Sequence, residues 1–186
     1  MIGMDEKVII RKLCEGSREA LGLLWQETSS NVLNLAFRML KDRDQAEDIL
    51  MDVFVSVPKA ILGFRGNSSI STWLYRLTVN ACLMKLRTDK RHRELESENV
   101  DVITEEALGK MENSGTASQA ADPELLEMGL SKLPADTRSM LWLKDAEGLD
   151  LKDLCDIFNM PEGTIKARLS RARHVVQNFL KEESDV

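Results

Sequence analysis

Cysteine, histidine and aromatic residues are scarce in this chain of 186 residues. Three cysteines, Cys14, Cys82 and Cys155, lie far apart, and the histidines are His92 and His174 alone. No zinc-ligand spacing arises from them, and an odd cysteine count argues against a disulfide framework. Each cysteine reads as a small buried apolar residue, and the chain as one kept in a reducing cytoplasm. No apolar run approaches the roughly 18 residues of a membrane span, and the start, MIGMDEKVII, lacks the basic-then-apolar order of a secretory signal. A Ser-His-Asp layout is missing, as is a Gly-rich phosphate loop ending in Lys-Ser/Thr. Paired carboxylates occur only on helix faces and in a polar stretch, where a solvated role fits better than general acid–base work. No catalytic residue, cofactor or metal is expected, and the chain reads as a non-enzyme. Four prolines and ten glycines leave room for long helices.

Charge is present but segregated. The net charge of −6 opposes nucleic-acid binding only as a sum. From Glu94 to Glu127 ten acids face one base, a net of −9, which leaves +3 on the rest. Positive charge gathers in Lys85–Arg93, with five bases and one acid, and in Lys166–Arg173, with four bases and no acid. Local patches, not the total, set a steering field.

The stretch Phe64–Arg87, FRGNSSISTWLYRLTVNACLMKLR, opens with a polar loop, Arg65-Gly66-Asn67-Ser68-Ser69. Gly66 suits a turn, and Asn67, Ser68 and Ser69 can cap a helix starting near Ile70. Ile70, Trp73, Leu74, Leu77, Ala81 and Met84 form one apolar stripe, flanked by Arg76, Asn80, Leu83 and Arg87. Two cations and an amide in a row suit phosphate and a base edge. The same pattern also fits an amphipathic helix with a solvated flank.

Upstream, the pattern predicts helices over Met4–Leu13, from Ser17 to about Glu27, and over Val32–Leu40, with Thr28-Ser29-Ser30-Asn31 as a break. A helix follows from about Gln45 to Phe64, burying Leu50, Val53, Phe54, Val57, Ile61 and Phe64. Pro58 is expected to kink or split it. Its opposite face carries Asp44, Asp48, Asp52 and Val55, with Met51 beside them. Exposed apolar residues ringed by acids suit a protein partner with a basic rim. Glu94–Asp122 reads as a mobile acidic linker. A second helical unit begins at Pro123, with Leu125, Leu126, Met128, Leu130 and Leu133 as its first apolar face. Asp136 starts the next helix, to about Ala146, and Asp150 caps a short one. A turn at Asn159–Gly163 leads to a last helix from about Thr164 to Lys181, carrying Lys166, Arg168, Arg171 and Arg173. Two helices, a tight turn and that basic face read as a helix-turn-helix. Lys166, Ser170 and Arg171 are candidates for base edges, Arg168 and Arg173 for phosphates.

Taken together, DQAEDILMDVF…FRGNSSISTWLYRLTVN and LP…R…DAEGLDLKDLCDIFNMPEGTIKARLSRAR resemble an extracytoplasmic-function sigma factor of bacterial RNA polymerase, over nearly the whole chain apart from the linker. The resemblance implies an all-α fold of two small helical domains: region 2 over 1–93, a flexible linker over 94–122, and region 4 over 123–186. It implies that Asp44, Glu47, Asp48, Met51, Asp52 and Val55 dock on the beta-prime clamp helices of core polymerase, with the beta flap as a further contact. Arg65, Asn67, Ser68, Ser69, Thr72, Arg76 and Asn80 would hold the minus-ten strand with a base flipped into the loop. Thr164, Lys166, Arg168, Ser170, Arg171 and Arg173 would meet the minus-thirty-five element. An anti-sigma factor, promoter DNA, a monomeric free state and a cytoplasmic home without membrane insertion complete the implied picture. The acidic linker matches a segment that threads polymerase channels, where its charge would mimic nucleic acid. Pro58, Met84 and Ser170 depart from the family's usual residues. A helix-turn-helix regulator that binds duplex DNA without polymerase is the alternative, and a protein-binding helical adaptor a third reading.

Overall fold

The computed structural model describes residues 6–96 and 123–184. Among them every regular element is helical. The helices are α1 (Glu6–Cys14), α2 (Arg18–Leu40), α3 (Arg43–Ala60), α4 (Ile70–Glu96), α5 (Pro123–Ser131), α6 (Ala135–Asp145), α7 (Leu151–Phe158) and α8 (Glu162–Ser184), with one 3₁₀ turn at Ile61–Gly63. Two compact units separate, the first centred on α1–α4 and the second on α5–α8.

In the first unit, local chemistry starts and stops each helix. Gly16 takes φ +79 after α1, a left-handed conformation that glycine adopts without strain. Ser17 then caps α2, its hydroxyl accepting from the Ala20 N–H at 3.3 Å. Asp42 caps α3 by accepting from the Gln45 N–H at 3.0 Å.

The expected break at Thr28–Asn31 does not occur, and α2 runs unbroken through it. Hydroxyl side chains usually compete with the helix for backbone partners. Here Thr28 is buried and its hydroxyl donates to the Leu24 carbonyl at 2.6 Å. The polar group is thus satisfied inside the helix, and Leu24, Thr28, Val32, Leu35, Ala36 and Met39 form one continuous buried face. Along α3, Ala46, Ile49, Leu50, Val53, Phe54 and Val57 pack against it, with Trp25 edge-on to Phe54 at 4.7 Å. Each such large apolar side chain, once buried, contributes about 1.5–3 kcal/mol. The predicted helix to Phe64 stops at Ala60, two residues past Pro58, and tightens into the 3₁₀ turn.

Helix α4 starts at Ile70 as expected, but its buried stripe is rotated from the predicted one. Met84 is 67% exposed, whereas Tyr75, Thr78, Val79 and Cys82 are buried. The periodicity is misleading because Thr78 hides its hydroxyl by donating to the Leu74 carbonyl at 2.9 Å. Tyr75 accepts from the Asn31 amide at 3.2 Å, which ties α4 to α2. The helix continues to Glu96, so Glu94–Glu96 of the expected linker are helical; its remaining residues, 97–122, lie outside the described ones.

In the second unit α8 is the spine. Ile165, Leu169, Ala172 and Val176 are buried along it, with Leu133, Met140 and Leu143 in the same unit. Gly129 lets α5 lie close, since a Cβ there would sit 3.1 Å from Phe179 Cδ1. The predicted α5 face is partly wrong: Leu126 and Met128 are exposed. Asp150 caps α7 by accepting from the Asp153 N–H at 2.7 Å. The turn before α8 is shorter than expected, because Glu162 and Gly163 are already helical.

Candidate functional site

Three surfaces carry the residues singled out by sequence. The first is the loop between the 3₁₀ turn and α4. Arg65, Asn67 and Ser69 are exposed and Ser68 is half-buried. Gly66 has φ +70, so the loop turns where glycine allows it. Phe64 anchors the loop's entrance, edge-on to buried Trp73 with ring centroids 5.6 Å apart. Ser69 anchors its exit: the hydroxyl accepts from the Thr72 N–H at 3.0 Å and shares a hydrogen bond with the Thr72 hydroxyl at 2.8 Å. Thr72 is buried, so it stands behind the loop and shapes it, whereas Asn67 is exposed and Ser68 half-buried at the loop's tip. Arg76 is half-exposed and Asn80 exposed, one and two turns further along α4.

The second surface is the outer face of α3. Asp44, Glu47, Asp48 and Asp52 are all exposed, with Met51 54% and Val55 75% exposed among them. Arg43 pairs with Glu47 at 2.9 Å, at an i,i+4 spacing that sequence analysis passed over. The face opposite is core, so these six residues are displayed by a helix whose orientation is fixed by packing.

The third is the exposed side of α8. Thr164, Lys166 and Ser170 are exposed, Arg171 is half-exposed, and its Nε donates to the Ala167 carbonyl at 3.3 Å. The helix itself lacks acids from Thr164 to Arg173, yet Lys166, Arg168 and Arg173 all meet carboxylates. Lys166 pairs with Glu162 at 2.6 Å, Arg168 with Asp136 at 2.5 Å, and Arg173 with Asp145 at 2.7 Å. The Arg168 side chain is only 19% exposed, and Asp136 equally so. Asp136 does more than start α6: one oxygen accepts from the Thr137 N–H, and the other holds Arg168. Asp145 closes α6 and holds Arg173, so the two ends of α6 are tied to α8 by ion pairs. Separations of 28 and 32 residues leave no local sequence signal for either tie.

Of the cysteines, only Cys82 fits the buried reading fully; Cys155 is half-buried and Cys14 exposed. Burial pushes the Cys82 thiol up to about 12. No cluster of metal-ligating side chains occurs among the described residues. No described helix is long and apolar enough to cross a membrane.

Residues 24–92 match sigma-70 region 2, and residues 124–174 match sigma-70 region 4, together about two thirds of the chain. The chain is 26% identical over 182 residues to the RNA polymerase sigma-H factor of Pseudomonas aeruginosa, covering 95% of this chain and 94% of that one. It is 28% identical over 185 residues to the ECF RNA polymerase sigma-E factor of Escherichia coli K12, covering 94% of each. Among solved structures, the sigma factor RpoE of Bartonella quintana, crystallised with the anti-sigma factor NepR, aligns with a TM-score of 0.64 at 26% identity. That alignment covers 84% of this chain and 94% of RpoE. CnrH, solved with the cytosolic domain of CnrY, shares the fold at a TM-score of 0.66 and 16% identity, over 95% of this chain and 97% of CnrH. Region 2 and region 4 follow one another here in a single helical chain, and full-length relatives align across both; the chain belongs to the sigma-70 family of RNA polymerase sigma factors, in its extracytoplasmic-function group.

Proposed function

We propose that the chain docks on core RNA polymerase through the outer face of α3, captures the minus-ten strand with the Arg65–Ser69 loop, and reads the minus-thirty-five element with α8. The observation that carries this reading is the loop. A plain duplex binder has no use for a polar pocket-forming turn that leads into Arg76 and Asn80 on the same helix. Extruding a base costs a few kcal/mol, and a preformed loop with cations alongside offsets that cost. In this reading region 2 spans 1–93 and region 4 spans 123–186, joined by the acidic stretch 94–122, whose net negative charge suits a channel built for nucleic acid. The clamp helices of the beta-prime subunit and the beta flap are the docking partners. The chain acts without chemistry of its own, in the cytoplasm, as a monomer when free. An anti-sigma factor holds it inactive, in keeping with the anti-sigma factor NepR bound to its relative RpoE.

Run-off transcription with purified core polymerase on a pool of promoter fragments tests the proposal. Specific transcripts are expected only when the chain is added. Active core and folded chain without such transcripts would overturn it, and tight binding of the isolated chain to duplex DNA would then point to a regulator.

A further inference from the structure

Helix α1 precedes the region matched to sigma-70 region 2, which begins at residue 24. It nevertheless touches both ends of the segment that carries the minus-ten loop. At the near end, the Cys14 thiol lies 3.9 Å from the Ile61 carbonyl, and α1 packs along the 3₁₀ turn. At the far end, the Glu6 carboxylate accepts from the backbone N–H of Ile70, the first residue of α4. Sixty-four residues separate the two partners, so this is a tertiary cap. Ile9 and Leu13 are buried and fix α1 in place, which holds Glu6 where it is.

The chemistry at that point explains why a carboxylate stands there. The first N–H groups of a helix have no partner within it, and the N-terminal end of the helix dipole favours negative charge. Ser69 serves the Thr72 N–H, and Glu6 serves the Ile70 N–H. The two caps together fix where the loop ends and α4 begins. Between Ile61 and Ile70, the Phe64 N–H donates to the Ile61 carbonyl at 3.0 Å and the Phe64 ring meets Trp73 edge-on.

We propose that Glu6 is a positioning residue for minus-ten recognition, and that α1 belongs functionally to the strand-capture apparatus. This rests on the reading of the Arg65–Ser69 loop given above. Without the Glu6 cap, the first turn of α4 frays, Ser69 loses a fixed Thr72 partner, and Asn67 and Ser68 no longer present one pocket to a flipped base. Docking on core polymerase through α3 does not depend on Glu6.

The test uses assembled holoenzyme and a fluorescently labelled single-stranded oligonucleotide carrying the minus-ten sequence of a promoter found by run-off. Asn67→Ala serves as the control for the loop itself. Glu6→Ala is expected to weaken oligonucleotide binding about three- to thirty-fold, the range that loss of a helix cap implies. Affinity for core is expected to stay at the wild-type value. Glu6→Gln, whose amide oxygen still accepts from Ile70, is expected to recover most of the binding. Glu6→Asp keeps the charge but is one methylene short, and is expected to fold and lose affinity as Glu6→Ala does, with faster hydrogen exchange at the Ile70 amide. Wild-type binding by Glu6→Ala and Glu6→Asp, with binding lost in Asn67→Ala, would overturn the proposal and leave the loop reading standing. Wild-type binding by all three variants would overturn the loop reading and this proposal together.

Discussion

Arg168 and Arg171 stand three residues apart on α8, and their surroundings divide their work. Arg171 is half-exposed, next to exposed Ser170. If it reads a base, Arg171→Ala is expected to cost about 1–3 kcal/mol at one minus-thirty-five position and to relax specificity there. Transcription from a library randomised across that element measures it, and an unchanged preference would remove Arg171 from the base-reading set. Arg168 is turned inward onto Asp136, where its charge ties α8 to the start of α6. Truncating it leaves a half-buried carboxylate without its charged partner, and Arg168→Ala is expected to destabilise the second unit by about 1–3 kcal/mol. The exchanged pair Asp136→Arg with Arg168→Asp should recover part of that loss in thermal unfolding; if it recovers none, the ion pair is not what matters. The cysteines give a simpler contrast. Burial holds the Cys82 thiol protonated, with its pKa near 12, whereas Cys14 is exposed. Because the thiolate is the reactive form, iodoacetamide near neutral pH should label Cys14 in the native protein and spare Cys82 until it unfolds. Equal labelling rates would contradict the burial of Cys82.

At the scale of the helices, most of the architecture was legible, because apolar spacing and capping residues are local. Ser17, Ser69 and Asp150 announce helix starts, and each does accept a backbone N–H. Two errors share one cause. The break foreseen at Thr28 and the stripe foreseen through Met84 both assumed that a hydroxyl belongs in solvent. Thr28 and Thr78 show how a helix hides one, by turning it back on the carbonyl four residues earlier. The outer face of α3 was legible for the opposite reason: Met51 and Val55 break the rule that apolar residues go inside, and they do so among carboxylates. Changing Asp48 and Met51 together to alanine is expected to weaken binding to core polymerase at least ten-fold while leaving helical content unchanged, since neither touches the core; a truncated interface anchor commonly costs 1 kcal/mol or more. Competition against labelled wild-type chain for core measures this, and undiminished competition would exclude the face.

For the whole molecule, sequence spacing conveys the order of the two units and their separate chemistries, but not the partnerships that distance in the chain conceals. Glu6 with Ile70, Asp136 with Arg168 and Asp145 with Arg173 are contacts that only folding creates. They alter what the charge count means. Arg168 and Arg173 read as phosphate clamps in the sequence, yet both, like Lys166, already face carboxylates of their own chain. Each phosphate neutralised by a protein cation steepens the dependence of log affinity on log salt by about 0.9. A cation that stays with its carboxylate contributes nothing to that slope. Holoenzyme binding to minus-thirty-five duplex should therefore be less salt-sensitive than the bases on α8 imply, and Asp145→Asn, which frees Arg173, should bind more tightly and steepen the slope by about one charge. An unchanged slope would mean that Arg173 meets no phosphate in either protein. On the proposed reading of α8, these carboxylates act as built-in counterions, and promoter contact through the helix is expected to tolerate changes in the ionic strength of its surroundings.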